Sequence, residues 1–231
     1  MKGDIIIVEP HHRNAAKHII DAILPDVQNK TSRYIITVAG ESGSGKSETA
    51  KALEEKLMEY NIKSIILGQD DYFVYPPKTN HNKRVEDSQW LGPIEVKIDL
   101  LNKHLYNAIE GQNAIEKPLV DYAADTIGQE ALKLDGIDVL IAEGTYTSLC
   151  KPVDTKVFIA RNRLDTLEHR KKRNRGNEVN DNFVETILET EHKIIMGHKH
   201  IADFIITKDY NVKTHFDFFS TPKVLHKRMK F

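Results

Sequence analysis

Short apolar runs alternate with longer amphipathic stretches along the 231-residue chain. The runs are rich in β-branched residues and almost continuously hydrophobic, which predicts strands that are buried on both faces of a sheet. These candidate strands span residues 5–8, 34–38, 64–67, 138–142, 156–159 and 204–207. Apolar residues at helical spacing predict helices over residues 47–60, 98–110 and 183–195. The alternation is typical of βαβ units, so we expect an α/β fold with a mostly parallel sheet flanked by helices.

The same pattern suggests three parts to the chain. Residues 1–30 predict a strand and a helix that precede the main unit as an N-terminal extension, and residues 31–210 carry the alternating pattern. Residues 211–231 form a basic C-terminal tail. Within the main unit, residues 73–95 contain three prolines and little periodicity, which favours a long functional loop.

Composition narrows the class of protein. Lys and Arg number 33 against 34 for Asp and Glu, and this near-neutral balance argues against a nucleic-acid coat or a membrane-surface protein. No apolar run exceeds four residues, whereas a transmembrane helix needs about 20. Cys150 is the only cysteine, which excludes an intrachain disulfide and fits a reducing compartment. We therefore expect a cytoplasmic protein with neither nucleic acid nor membrane as a partner.

The strongest motif lies between the candidate strand 34–38 and the helix that follows it. Residues 40–47 fit the phosphate-binding pattern GxxxxGK[ST], in which glycines let backbone N–H groups curl around phosphate oxygens. The helix N-terminus adds partial positive charge at the same point. Lys46 would contact the β- and γ-phosphates, and the Ser47 hydroxyl would bind Mg²⁺. The nucleotide-binding candidates are Gly40, Glu41, Ser42, Gly43, Ser44, Gly45, Lys46, Ser47 and Glu48.

Acidic residues follow two of the candidate strands. Asp70 and Asp71 come after the strand 64–67, and Glu143 comes after the strand 138–142. Ligands of open parallel sheets bind beyond the carboxyl ends of the strands, where a carboxylate can bind Mg²⁺ or accept a proton from an attacking hydroxyl. Solvated turn residues or helix caps are the alternative interpretation of such acids.

A basic segment follows the strand 156–159. Residues 161–175 carry an excess of five positive charges in an otherwise neutral protein. Arginines of this kind can close over a nucleotide as a lid and neutralise charge on a transferred phosphoryl group. A solvated helix face or an RNA-binding patch would give the same pattern, although no aromatic residue lies in this stretch.

Taken in the order in which they occur along the chain, the motifs resemble those of the uridine kinase and phosphoribulokinase family of P-loop kinases over roughly residues 34–210. The resemblance implies a three-layer, nucleoside-kinase-like P-loop NTPase fold with ATP and Mg²⁺ as cofactors, and it implies a homo-oligomer. Its supporting stretches are residues 40–47, 69–73, 118–122, 142–144, 170–173 and 202–206, together with Pro93.

The resemblance also implies roles for individual residues. Asp70 would face the substrate hydroxyl, Glu143 would hold Mg²⁺ together with Ser47, and Arg170 and Arg173 would be the catalytic arginines of a lid near residues 161–180. The substrate-binding candidates are Asp70, Tyr72, Asp121, Tyr122 and Asp125. Two positions depart from the uridine kinase pattern: Leu91 replaces an Asp that holds the ribose, and Asp125 replaces a base-recognising His.

These observations predict ATP- and Mg²⁺-dependent transfer of the γ-phosphoryl group to a hydroxyl of a small metabolite, as in a uridine or cytidine kinase. A sugar, a sugar phosphate or another hydroxyl metabolite is the alternative acceptor. Two alternatives come from other classes: a nucleotide-binding regulatory switch and an RNA-linked ATPase.

Overall fold

A computed structural model of the chain describes residues 6–162, 164–166 and 182–220. Within them, six strands form a central sheet in the order β2-β5-β1-β6-β7-β8, and a separate hairpin pairs β3 with β4. Every pairing in the central sheet is parallel except that of β7 with β8. The strands are β1 (Tyr34–Gly40), β2 (Ser64–Gly68), β3 (Ala114–Asp121), β4 (Thr126–Lys133), β5 (Val139–Glu143), β6 (Thr155–Ile159), β7 (Phe204–Ile206) and β8 (Val212–Thr214).

Helices cover both faces of this sheet, so the three-layer α/β architecture is confirmed. One apolar core joins α1 and α2 to the sheet, and the other joins α4 and the end of α5 to the opposite face. In α4, Leu101, Leu105 and Ala108 recur at helical spacing and are fully buried. The helices are α1 (Pro10–Asn29), α2 (Lys46–Glu59), α3 (Pro77–Glu86), α4 (Ile98–Ile109), α5 (Asn182–Ile195) and α6 (His215–Ser220).

The sheet register brings three strand ends to one edge. In β1, Val38 is aligned with Glu143 of β5, and Glu143 is aligned in turn with Gly68 at the end of β2. The loop after β1, the turn after β2 and the last residue of β5 therefore meet at the carboxyl edge of the sheet. This is the position at which open parallel sheets bind their ligands.

Two predictions made from the sequence are wrong. The described residues 6–8 of the expected strand 5–8 form no strand, and Ile6 and Ile7 are exposed. Residues 73–95, expected to form a loop, contain α3 and two 3₁₀ turns. Pro77 opens α3 with a backbone angle suited to a first helical turn, and the helix buries only Asn80, so it carries no apolar stripe.

The β3–β4 hairpin was not predicted, and neither were β8 and α6, which lie within the segment expected to be only a basic C-terminal tail. The three predicted helices are confirmed to within one residue at each end, and the remaining five strands to within two residues. The N-terminal helix α1 packs along α2 and buries Ile19, Ile20 and Ile23 in the shared core. Among the described helices, none is both long and apolar enough to span a bilayer.

Candidate active site

The loop between β1 and α2 has the backbone geometry that phosphate binding needs. Gly45 has a φ of 98°, in the left-handed region that favours glycine. A Cβ atom there would lie 2.7 Å from the Tyr210 hydroxyl and 3.2 Å from His12 Nε2, so a side chain is excluded by space as well as by backbone conformation. Lys46 Nζ donates a hydrogen bond to the Glu41 carbonyl oxygen at 3.0 Å, which places the ammonium group over the loop. Glu48 is buried in the first turn of α2.

Ser47 and Glu143 form an oxygen-rich pair beside this loop. The Ser47 hydroxyl donates to Glu143 Oε1 at 3.2 Å. The pKa of Glu143 is raised to about 7, mainly by burial and also by the negative charge of Asp70, while Lys46 and the Ser47 hydrogen bond oppose the shift. A bound cation would stabilise the ionised carboxylate. Because a hydroxyl and a carboxylate are hard oxygen ligands, the donor set fits Mg²⁺.

The two adjacent acids after β2 point to different places. Asp70 lies in the 3₁₀ turn Gln69–Tyr72, is exposed, and lines a cavity of about 290 Å³ together with Lys46, Ser47 and Glu143. Asp71 points into the protein and forms a 2.7 Å ion pair with Lys117 of β3. Only the first acid is therefore placed to meet a substrate.

Helix α5 forms a wall of this cavity and contacts the phosphate-binding loop directly. The Ser42 hydroxyl donates to Glu191 Oε2 at 3.0 Å, and His192 Nδ1 lies 2.5 Å from Glu41 Oε1. Glu191 is buried, and this burial raises its pKa. No motif in the sequence marked Glu191 or His192, since both belong to an ordinary amphipathic helix.

Helix α3 also lines this cavity, through Asn80, His81 and Arg84. Arg84 Nε donates to Glu95 Oε2 at 2.6 Å, and the same carboxylate oxygen accepts a hydrogen bond from Asn80 Nδ2. The Trp90 indole nitrogen donates to Asn80 Oδ1. This network fixes α3 against the cavity, and sequence reasoning missed it because the segment was expected to be a loop.

The structure brings only some of the predicted substrate residues to the cavity. Tyr122 lines it and is half-exposed. Tyr72 is fully buried in the core, where its hydroxyl lies 2.8 Å from His104 Nδ1. Asp121 accepts from the Ala124 backbone within a turn. Asp125 accepts from the backbone N–H of residue 78 and from the hydroxyl of residue 79, at the start of α3.

The predicted lid is described only at its beginning. Arg170 and Arg173 lie outside the described residues. Arg161 donates from Nη1 to the Tyr210 hydroxyl at 2.6 Å, and that hydroxyl donates in turn to the Ser44 carbonyl oxygen at 3.3 Å. His12 Nε2 of α1 is 3.2 Å from the same hydroxyl, so the N-terminal helix reaches the phosphate-binding loop.

Comparison with known proteins agrees with this geometry. The model of the phosphoribulokinase / uridine kinase family matches residues 35–209. A uridine kinase of Bacillus cytotoxicus is 30% identical over 182 residues, which cover 74% of this chain and 84% of that protein. A bifunctional alpha-galactosidase/sucrose kinase of Mediterraneibacter gnavus is 29% identical over 196 residues, which are 80% of this chain and 21% of that protein.

Solved structures show the same fold at low sequence identity. A possible uridine kinase from Bacillus stearothermophilus aligns with a TM-score of 0.56 at 18% identity, covering 72% of this chain and 93% of its own. A D-glycerate 3-kinase from Cryptococcus neoformans aligns with a TM-score of 0.59 at 12% identity, covering 89% of this chain and 99% of its own.

Proposed function

Because the chain belongs to the phosphoribulokinase / uridine kinase family, whose members are ATP-dependent kinases of hydroxyl acceptors, we propose that its acceptor is an uncharged metabolite that carries several hydroxyl groups. A pyrimidine nucleoside such as uridine or cytidine is the first candidate. An uncharged sugar is the second, favoured by the similarity to a sucrose kinase over 80% of the chain. The observation that carries the proposal is the convergence of Lys46, Ser47, Glu143 and Asp70 on one cavity.

Each of these residues has a role that its position supports. The loop amides and Lys46 bind the β- and γ-phosphates, and Asp70 accepts the proton of the acceptor hydroxyl as its oxygen attacks the γ-phosphorus. The bond from the γ-phosphorus to the bridging oxygen breaks, and ADP leaves. Ser47 and Glu143 would hold Mg²⁺, which supplies positive charge to the phosphates when it is bound.

The charges around the cavity argue for an uncharged acceptor. Among the described residues that line it, the basic side chains are Lys46, His81 and Arg84. Lys46 belongs to the phosphate-binding loop, and the charge of Arg84 is balanced by its ion pair with Glu95. Asp70 adds negative charge, and Glu143 and Glu191 add more when they are ionised. A carboxylate or phosphate on the acceptor would be repelled there, which disfavours a sugar phosphate or glycerate.

An acceptor panel tests this proposal. ADP release from ATP and Mg²⁺ is measured with uridine, cytidine and uncharged sugars, and separately with sugar phosphates and glycerate. We expect stimulation by at least one compound of the uncharged set and none by the anionic set. The Asp70→Asn variant serves as the control and should lose the stimulation. Stimulation by the anionic compounds alone would overturn the proposed acceptor class.

A further inference from the structure

Three polar side chains from three separate elements line the cavity beside the catalytic residues, and the proposed mechanism uses none of them. Arg84 comes from α3, Tyr146 from the turn after β5, and Glu191 from α5. Tyr146 and Glu191 are only 2% and 5% exposed. Lys46 and Asp70 line the same cavity, so a bound acceptor would meet the reacting groups and these three residues together.

Tyr146 carries the observation that points to a ligand. Its hydroxyl is buried and has no hydrogen-bond partner among the described residues, although its backbone N–H is held by Gln69 Oε1 at 2.7 Å. A buried hydroxyl without a partner is unfavourable, and the great majority of such groups in folded proteins are paired. Burial, with the negative charges of Glu191 and Glu95, raises the pKa of this hydroxyl, so it remains a neutral donor.

Arg84 and Glu191, which line the same cavity, also have groups that make no hydrogen bond within the described residues. The Arg84 Nε atom is bonded to Glu95, while its two terminal amino groups make no hydrogen bond within the described residues. Glu191 Oε2 accepts from Ser42, and in the described part of the chain its Oε1 accepts no hydrogen bond. The cavity therefore offers guanidinium donors, a phenol hydroxyl and a carboxylate acceptor.

This combination fits neighbouring hydroxyl groups, because each hydroxyl both donates and accepts. We propose that Arg84, Tyr146 and Glu191 form the subsite that binds adjacent hydroxyls of the acceptor and thereby selects it. The inference rests on the proposed function and deepens it: the acceptor carries a vicinal diol as well as the hydroxyl that is phosphorylated. Because Glu95 balances the charge of Arg84, the subsite requires no charge on the ligand.

The sharpest test removes a single oxygen atom. The Tyr146→Phe variant is compared with wild type in ADP release with uridine and 2′-deoxyuridine, and with glucose and 2-deoxyglucose. One of these hydroxylated compounds should be the acceptor that wild type uses. For that acceptor we expect a KM at least about tenfold higher in the variant than in wild type, with the KM for ATP unchanged. Wild type should discriminate against the deoxy compound, and the variant should lose most of that discrimination.

Tyr34→Phe is the matched control, because it removes a buried tyrosine hydroxyl that has a partner. That hydroxyl lies 2.7 Å from Thr155 Oγ1, at the opposite end of β1 from the phosphate-binding loop. We expect Tyr34→Phe to lower the melting temperature and leave the acceptor KM unchanged. Tyr146→Phe should not lower the melting temperature, because the folded protein loses no hydrogen bond.

The possible outcomes distinguish a failure of the proposed subsite from a failure of the proposed function. Acceptor-stimulated ADP release with equal KM values and equal discrimination in wild type and Tyr146→Phe would overturn the subsite and leave the proposed function standing. Failure of every nucleoside and uncharged sugar to stimulate wild type would overturn the proposed acceptor class, and the subsite with it.

Discussion

The buried ion pair between Asp71 and Lys117 ties the β3–β4 hairpin to the turn that carries Asp70. The two side chains are 3% and 6% exposed, and Lys117 Nζ lies 2.7 Å from Asp71 Oδ2. Asp71 Oδ1 also accepts from the Val120 backbone at 3.0 Å. Replacing Lys117 by Met keeps most of the aliphatic stem and removes the charge, so the buried Asp71 loses this ion pair.

The expected loss follows from this geometry. Two unit charges at this distance attract by about 6 kcal/mol at an effective dielectric constant of about 20. The pair's own desolvation offsets part of that, and breaking a buried pair from one side costs about 3–5 kcal/mol. We therefore expect Lys117→Met to lower the free energy of unfolding by about 3–5 kcal/mol. Asp71→Asn should lower the free energy of unfolding by less, because Lys117 keeps its ion pair with Glu130 at 3.1 Å and its hydrogen bond to the Pro118 carbonyl oxygen.

Urea unfolding followed by circular dichroism measures these changes, with the double variant completing a mutant cycle. The double variant should lose less than the sum of the two single variants. Lys193→Met is the matched control: Lys193 is exposed and pairs with Glu189 at 3.1 Å, so its loss should cost at most about 0.5 kcal/mol. A Lys117→Met loss below about 1 kcal/mol, or an additive double variant, would refute the reasoning.

Three further predictions concern catalysis, pH dependence and packing. Asp70→Asn should lower acceptor-dependent turnover by about 10²–10⁴, with the calorimetric Kd for ATP unchanged; near-wild-type turnover would remove Asp70 from the mechanism. The raised pKa of Glu143, about 7 against 4.5, means that its ionisation destabilises the metal-free fold as pH rises through this range. In EDTA, Glu143→Gln should therefore melt higher than wild type at about pH 8 and match it at about pH 4, and a difference independent of pH would contradict this. Arg33→Met should cost about 2–4 kcal/mol in urea unfolding, because the guanidinium donates to four backbone carbonyls, and a loss below about 1 kcal/mol would show them to be dispensable.

Much of the fold could be predicted because its signals are local. The parallel strands of the central sheet are almost continuously apolar, and α4 carries a buried stripe, so both leave clear patterns in the sequence. Helix α3 and the β3–β4 hairpin leave weaker sequence patterns, because α3 buries only Asn80 and β4 is exposed along most of its length. Their stability comes from tertiary contacts, such as that of Asn80 with Glu95, which no local pattern reveals.

The candidate site likewise has a part that the sequence predicts and a part that only the fold reveals. The phosphate-binding loop is contiguous and must lie between a strand and a helix, so its sequence identifies it. The adjacent acids Asp70 and Asp71 could not be told apart until the fold placed one on the cavity and paired the other with Lys117. Tyr146 and Glu191 are brought together from positions far apart in the chain, and neither has a local signature.

The central claim is that the protein transfers a phosphoryl group to an uncharged hydroxyl acceptor. Phosphorus NMR of a mixture of protein, ATP, Mg²⁺ and each uncharged compound of the panel tests it directly. We predict that a phosphomonoester resonance and ADP grow together with wild type and that both are absent with Asp70→Asn. ADP accompanied only by inorganic phosphate, whichever compound is added, would contradict it and indicate a nucleotide-hydrolysing switch instead.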